Sequence, residues 1–174
     1  MKSIHFAAGI AAATLLVACQ SVPSDAPKAS AVLEPTKGST VRGTVTFVQF
    51  DGKVRVTANI SGLKPGGQFG FHIHEAGDCS SGDGMSAKGH FNPLTKPHGH
   101  HSTMQRHAGD MPNLEADANG NAVMSADLDV ITVSPGATSI IGRGLIVHAQ
   151  ADDYTSQPVG NAGARSACAV IQRS

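Results

Sequence analysis

The chain has 174 residues, of which 40% are hydrophobic and 15% charged, and its 13 basic and 13 acidic side chains cancel. This length and composition fit one folded domain and exclude a wholly disordered chain. Nucleic-acid binding is not expected, because the chain has no basic excess, no Trp and only 4% aromatic residues. The 20 Gly indicate many turns, and the 9 His make imidazole chemistry the first function to consider.

Residues 1–18 are typical of an export signal. Lys2 precedes an apolar, small-residue stretch that is too short to cross a bilayer comfortably. The stretch ends in the letters LVAC, with Cys19 last, and this ending resembles the lipobox of bacterial lipoproteins, in which the Cys is acylated. The alternative is an ordinary signal peptide with a chance Cys at its end. The sequence favours lipidation of Cys19, and therefore an exported, periplasmic protein anchored to a membrane.

Residues 19–38 are rich in Pro, Ser and Ala and show no hydrophobic periodicity. We therefore expect them to form a flexible spacer between the lipid anchor and the folded domain. If Cys19 carries lipid, Cys79 and Cys168 remain, and an exported protein can oxidise such a pair. Counting alone thus predicts one disulfide.

Residues 39–174 are expected to form an all-β domain, because short alternating segments are separated by turn signals. Asp51-Gly52 and Asn119-Gly120 each lie between two such segments and predict two hairpins. The predicted strands are 41–50, 54–60, 68–75, 114–118, 122–128, 139–148 and 167–172. Residues 76–113 and 152–166 interrupt this pattern. Because long loops inside a compact domain are usually functional, we expect the chemistry to lie there.

Histidines are concentrated in the third predicted strand and in the first long loop. His72 and His74 are two residues apart, so they share one face of a strand while Phe71 and Ile73 face the core. The loop adds His90, His98, His100, His101 and His107, followed by Asp110. Imidazole suits copper, and imidazole with carboxylate suits zinc. The alternative interpretation is a solvated His-rich loop with weak metal affinity.

Five separated motifs, in the same order, resemble copper/zinc superoxide dismutases. They are GFHIHE at 70–75, GHFNPL at 89–94, RHAGD at 106–110, IGR at 141–143 with His148 after it, and GNAGAR at 160–165 before Cys168. The resemblance covers the chain from about Val41 onward. It implies a Greek-key β-sandwich or barrel whose two long loops are a metal-binding loop and an electrostatic loop.

The resemblance also implies the roles of single residues. Copper would take His72, His74, His90 and His148, and zinc would take His90, His98, His107 and Asp110. His98 is preferred to His100 or His101 because it stands eight residues after His90 and nine before His107, similar to the family spacing. Asp152 resembles a carboxylate that links a copper-bound and a zinc-bound His. Arg165 resembles a guanidinium beside the copper, and Cys79 with Cys168 matches the family's disulfide.

The implied activity is the disproportionation of superoxide to oxygen and hydrogen peroxide, with His90 and Arg165 as catalytic residues. The metal-bridging His90 would carry a proton, and Arg165 would attract the anion. Arg165 is the single basic residue of segment 152–166. Any outer steering charge is therefore expected from Lys88, Lys96 or Arg106.

Two other functions compete with the enzyme. A metal-carrying lipoprotein would bind metal without turnover, and a structural β-sandwich would bind none tightly. The carrier does not require a bridging His90, Asp152 and Arg165 together. The sequence leaves open whether the protein is a monomer or a homodimer, and which membrane would hold it.

Overall fold

The computed structural model describes residues 23–174, so the predicted signal peptide and Cys19 lie outside the described residues. The ten strands are Lys28–Pro35 (β1), Arg42–Phe50 (β2), Lys53–Ser61 (β3), Gln68–Phe69 (β4), Phe71–His74 (β5), Leu114–Glu115 (β6), Ala122–Leu128 (β7), Gly144–His148 (β8), Arg165–Val170 (β9) and Gln172–Arg173 (β10). One 3-10 turn, Met85–Ala87, is the only helical element in the described part of the chain. None of the described residues forms a helix with the length and apolar character needed to span a membrane.

Eight strands form one curled antiparallel sheet. Its order is β5-β8-β9-β1-β2-β3-β7, and β10 pairs with β1 on the edge opposite β2. The remaining two strands, β4 and β6, pair with each other. The predicted all-β Greek-key sandwich or barrel is confirmed.

Alternation along the strands creates the core. In β3, Val54, Val56, Ala58 and Ile60 are fully buried, while the residues between them are exposed. Successive side chains of a strand point to opposite faces, so one face collects the apolar residues. Burying a Val or Ile side chain of this kind stabilises the fold by about 1.5 to 3 kcal/mol.

The predicted hairpin at Asp51-Gly52 is confirmed. Phe50 of β2 pairs with Lys53 of β3, so a two-residue turn joins the strands. Asp51 and Gly52 have φ of 49° and 72°. Positive φ at both central residues matches the right-handed twist of the flanking strands, which is why Asp-Gly is favoured there.

The predicted hairpin at Asn119-Gly120 is wrong. The chain does turn there, because Asp117 N–H donates to Asn121 O at 2.8 Å. However, β6 pairs with β4, in register Phe69 with Leu114, and β7 pairs with β3. The turn therefore separates two strands that have different partners.

The predicted spacer, residues 19–38, is also wrong in part. Residues 28–35 form β1, which pairs with β2, β9 and β10. Ala29, Ala31 and Leu33 alternate along β1 and are buried in the core. This alternation of small side chains is a strand signal that the Pro and Ser around it obscure, and the fold begins about ten residues earlier than expected.

Three predicted strands are shorter than expected: 114–118 is a strand only over Leu114–Glu115, and 68–75 and 139–148 also differ. One of these differences positions the candidate site. Segment 139–148 is a strand only from Gly144, and segment 68–75 is interrupted at Gly70. Gly70 N–H donates to Gln150 O at 2.7 Å, and Gly70 O accepts from His148 N–H at 2.8 Å. A Cβ at Gly70 would lie 2.8 Å from the Cβ of Ala162. The interruption therefore brings the end of β8 and the loop after it against the start of β5.

Candidate metal centre

Three of the predicted metal ligands lie at the ends of two paired strands. His72 and His74 belong to β5, which pairs antiparallel with β8, and His148 ends β8. All three side chains are buried. Phe71 and Ile73 fill the core on the opposite face of β5, so β5 presents its two imidazoles to one place.

The first long loop, residues 75–113, folds back onto β5. Phe91 N–H donates to Ile73 O at 2.8 Å, and Ile73 N–H donates to Gly109 O at 3.0 Å. Gly109 is required here, because a Cβ at this position would overlap Ile73 O. The residues next to these bonds, His90 and Asp110, are thereby placed opposite His74 and His72.

The structure brings the predicted ligands into two groups that share His90. In each group, the candidate ligand atoms lie within 4.8 Å of one another, and every member is buried. One group is His72, His74, His90 and His148, and the other is His90, His98, His107 and Asp110. The two adjacent imidazoles His100 and His101 lie outside both groups. Their rings are 4.1 Å apart, and the His100 ring lies 4.5 Å from that of Tyr154.

The four-imidazole group is held from its outer side. His74 Nδ1 lies 2.8 Å from Lys88 O, and His148 Nδ1 lies 3.2 Å from Gly163 O. The remaining nitrogens of these two rings, both Nε2, face each other at 3.4 Å. A hydrogen bond to the outer nitrogen fixes the orientation of a ligating imidazole and leaves the other nitrogen free to bind.

Burial favours the neutral form of three imidazoles of this group, those of His74, His90 and His148. Burial, aided by His72, lowers the pKa of His148 to about 3 and that of His90 to about 4. Burial also lowers the pKa of His74 well below 6.5, with further contributions from His90 and His148. Neutral imidazoles are the form that binds a metal ion.

The second group converges on one carboxylate oxygen. Asp110 Oδ1 lies 2.8 Å from His90 Nδ1, 3.0 Å from His98 Nδ1 and 3.4 Å from His107 Nδ1. Although burial opposes it, hydrogen bonding with these imidazoles lowers the pKa of Asp110 far below 3.8. Three nitrogens and one oxygen gathered in this way form a donor set that zinc prefers.

Asp152 links the two groups. Its Oδ2 lies 2.8 Å from His72 Nε2, and its Oδ1 lies 2.9 Å from His98 Nε2. Burial works against ionisation, but the bonds to His72 and His98 lower the pKa of Asp152. Burial likewise opposes protonation of His98, yet Asp110 and Asp152 raise the pKa of His98 to about 9 in the metal-free protein.

Two carboxamides that the sequence analysis missed connect the two long loops. Asn113 donates from Nδ2 to Asp152 O at 2.9 Å and accepts from Asp152 N–H at 3.0 Å. Gln157, in the second long loop (residues 149–164), makes the equivalent pair of bonds to His98. Neither residue belongs to a recognisable motif, so no sequence signal marks it.

Arg165 begins β9 and is held by main-chain carbonyls of the first long loop. Its guanidinium donates to Gly84 O and to Lys88 O, the carbonyl that also contacts His74 Nδ1. Burial lowers the pKa of Arg165, and, after burial itself and the neighbouring imidazoles, the charge of Arg165 adds to the lowering of the pKa values of His74 and His148. Three residues further along β9, Cys168 forms the predicted disulfide with Cys79, with an S–S distance of 2.04 Å.

Arg106 was expected to be able to supply steering charge, and this expectation is wrong. Only 6% of Arg106 is exposed, and its guanidinium is bonded to Thr103 O and to the Asp129 carboxylate. Lys88 and Lys96 are exposed, as steering requires. The Lys88 ammonium lies 3.7 Å from Glu75 Oε1, which partly offsets its charge.

Comparison with known proteins decides the family. The family model described as copper/zinc superoxide dismutase (SODC) matches residues 41–171. The chain belongs to the copper/zinc superoxide dismutase family. It is therefore an oxidoreductase that disproportionates superoxide to oxygen and hydrogen peroxide, with copper and zinc as cofactors.

Several relatives of this dismutase cover most of the chain. Superoxide dismutase [Cu-Zn] 2 of Aquifex aeolicus (strain VF5) is 39% identical over 168 residues, covering 94% of this chain and 97% of the relative. Superoxide dismutase [Cu-Zn] of Paramecium bursaria Chlorella virus 1 is 46% identical over 137 residues, covering 75% of this chain and 72% of its own.

Solved structures give the same result. The clock protein EA4 matches with a TM-score of 0.77 and 43% identity, covering 90% of this chain and 99% of its own. A double mutant of a superoxide dismutase-like protein from Bacillus subtilis matches with a TM-score of 0.75 and 38% identity, covering 82% of this chain and 96% of its own. The fold of this dismutase is thus that of solved proteins with clear sequence identity.

Proposed function

We propose that this dismutase works with copper bound by His72, His74, His90 and His148, next to zinc bound by His90, His98, His107 and Asp110. The observation that supports this assignment is the shared imidazole. His90 belongs to both groups: its Nδ1 lies 2.8 Å from Asp110 Oδ1, while its Nε2 is buried and has no hydrogen-bond partner among the described residues. A single imidazole can bind two metal ions through its two nitrogens, so the arrangement fits a bridged pair.

The residues of the four-imidazole group fit a bound cation. His72 Nδ1 and His90 Nε2 are buried and have no hydrogen-bond partner among the described residues. A buried polar atom without a partner costs about 1 to 3 kcal/mol. A metal ion bound to these nitrogens removes that cost, and four imidazoles suit copper.

When bound, copper supplies the one-electron chemistry that accepts an electron from one superoxide and returns it to the next. The protein residues manage protons and charge. Forming hydrogen peroxide from superoxide requires protons, and His90 Nε2 can hold one whenever that nitrogen is free. Burial is the first cause of the low pKa of His90, and this low pKa favours release of the proton from the ring.

Arg165 and Asp152 have supporting roles in this proposal. The Arg165 guanidinium, fixed by two carbonyls next to His74, presents positive charge to an anionic substrate. Asp152 orients His72 and His98 from behind through their Nε2 atoms. A carboxylate in this position fixes the ring and raises its basicity as a ligand.

The test compares metal-free protein with protein reloaded with one copper and one zinc per chain. We expect rapid superoxide consumption only after reloading. The His74→Ala variant should lose copper and keep zinc, and His98→Ala should lose zinc and keep copper. His101→Ala is the matched control and should bind both metals as the parent does. Uptake of both metals without turnover would contradict the proposal and favour a metal carrier.

We also propose that the protein is exported and anchored to a membrane by lipid on Cys19. The disulfide supports export, because disulfides persist mainly in oxidising compartments. The test is incorporation of a labelled fatty acid during expression in bacteria. The parent should carry the label and sediment with membranes, and Cys19→Ser should do neither. An unlabelled parent would contradict lipidation.

A further inference from the structure

The carboxamide of Gln157 reaches from the second long loop to the main chain of His98 in the first. Gln157 Oε1 accepts a hydrogen bond from His98 N–H at 2.9 Å. Gln157 Nε2 donates to His98 O, also at 2.9 Å. One side chain thus satisfies both main-chain polar groups of a single residue, as a neighbouring strand would do.

Among the imidazoles of the site, His98 is the one whose main-chain N–H and C=O both bond a single side chain. His72, His74 and His148 lie in paired strands, main-chain bonds hold the residues on either side of His90, and the carbonyl of His107 accepts from Asp110 N–H. His98 lies in no strand, and within residues 23–174 its N–H and C=O have no main-chain partner. Its main-chain hydrogen bonds are those to Gln157.

The ring of His98 requires accurate placement, because both of its nitrogens are engaged. Nδ1 lies 3.0 Å from Asp110 Oδ1, and Nε2 lies 2.9 Å from Asp152 Oδ1. A small shift of the main chain would move both contacts together. Gln157 is itself held, because its Nε2 also lies 3.3 Å from Thr155 O.

We propose that Gln157 is a positioning residue that sets the affinity of the His98-containing group for zinc by fixing the main chain of His98. This inference rests on the zinc ligands proposed above. Gln157 does not contact the candidate ligand atoms, so its effect is indirect. Removing a partner that orients a metal ligand typically weakens binding by about 10- to 100-fold. Because Gln157 is exposed to water, we expect the lower end, about tenfold.

The test uses Gln157→Met, which keeps the length of the side chain and removes both hydrogen bonds. Zinc affinity is measured on metal-free protein by competition with a chromogenic chelator. Cobalt(II) then replaces zinc, and its visible absorption reports the geometry of the site. Gln172→Met, on exposed β10, is the control, because the Gln172 side chain has no hydrogen bond within residues 23–174. The expected result is about tenfold weaker zinc binding and an altered cobalt spectrum for Gln157→Met alone.

Two further variants, Gln157→Glu and His98→Ala, separate the role of Gln157 from the identity of the zinc ligands. Gln157→Glu keeps the acceptor and loses the donor, and we expect weaker zinc binding from it as well. Zinc affinity within twofold of the parent in both Gln157 variants, with an unchanged cobalt spectrum, would overturn the inference. If His98→Ala also keeps the parental affinity, the zinc ligand set itself is wrong. If His98→Ala loses zinc while the Gln157 variants do not, only the role of Gln157 is wrong.

Discussion

Gly160 lies directly against the carboxylate of Asp152. A Cβ at residue 160 would overlap Asp152 Oδ1 and would lie 2.7 Å from His98 Nε2. Gly160 also has φ of +66°, and Asp153 N–H donates to its carbonyl at 2.9 Å. The link from Asp152 to His98 therefore requires that residue 160 have no side chain.

Gly160→Ala should push Asp152 away from His98 and weaken zinc retention. We expect zinc affinity to fall about tenfold or more, as it does when other residues that hydrogen-bond to a metal ligand are disturbed. Competition with a chelator on the purified protein measures the zinc affinity. Gly52→Ala is a matched control, because Gly52 has φ of +72° with open space around it. The control should lose about 1 to 2 kcal/mol of stability from backbone strain and keep its zinc. Equal zinc affinity in the two variants would argue against the steric explanation.

Arg165→Ile should slow the reaction without removing metal. The substitution deletes a positive charge near His74 and His148, so capture of superoxide weakens. We expect the second-order rate constant to fall roughly tenfold, equivalent to about 1.4 kcal/mol, and to depend less on salt. Pulse radiolysis at two ionic strengths measures both effects. Arg42→Ile, on β2, removes an exposed charge elsewhere and should leave the rate unchanged. A variant that loses copper would instead indicate a structural role for Arg165.

Removing the disulfide should reduce both stability and activity. In the chain-entropy model, a crosslink across the 89 residues from Cys79 to Cys168 contributes about 4 to 5 kcal/mol. The crosslink also ties the segment carrying Gly84 O and Lys88 O to the strand carrying Arg165. The double variant Cys79→Ser with Cys168→Ser should unfold at lower urea concentration and consume superoxide more slowly when fully metal-loaded. Full activity of the loaded variant would show that the carbonyls hold Arg165 unaided.

The metal-free protein should be most stable near pH 6.5. Burial, aided by His72, gives His148 and His90 folded-state pKa values of about 3 and about 4. Below pH 6.5 the unfolded chain binds protons that these two folded imidazoles do not bind. The free energy of unfolding therefore decreases as the pH is lowered from 6.5 towards 3. His98 has the opposite effect on stability. Burial opposes its protonation, but Asp110 and Asp152 raise its pKa to about 9. Stability from His98 is complete below 6.5 and is lost as pH rises through about 9.

Urea unfolding of the metal-free protein across this pH range measures the profile. His98→Asn should flatten its alkaline side and leave the acid side in place. A stability that rises steadily from pH 5 to pH 9 would contradict the assignment of the two opposing groups.

Local signals in the sequence predicted local structure well. The Asp51-Gly52 hairpin was predictable, because the turn and its two strands are adjacent in the chain. β1 was missed, because its buried positions include Ala29 and Ala31, whose small side chains give a weak hydrophobic pattern. The pairing of β4 with β6 joins segments about 45 residues apart, and no local rule specifies such a partner.

In the candidate site, too, some residues were predictable from local sequence signals and others were not. Charged and ligating residue types, in spacings that resemble a known family, marked the seven proposed ligands, Asp152 and Arg165 from sequence alone. The structure groups His98, and not His100 or His101, with Asp110. Asn113 and Gln157 were missed because neutral carboxamides occur on every protein surface. Their importance comes from main-chain contacts that only the folded arrangement of the two loops creates.

The early start of β1 limits how far the folded enzyme could stand from a bilayer. Only eight residues separate Cys19 from Lys28, the first residue of β1. A fully extended chain covers at most about 3.6 Å per residue, so this connecting segment can span at most roughly 30 Å. If Cys19 carries lipid, the enzyme is confined to a thin layer at the membrane surface. It would therefore remove superoxide where the anion leaves or meets the lipid, rather than throughout the surrounding compartment.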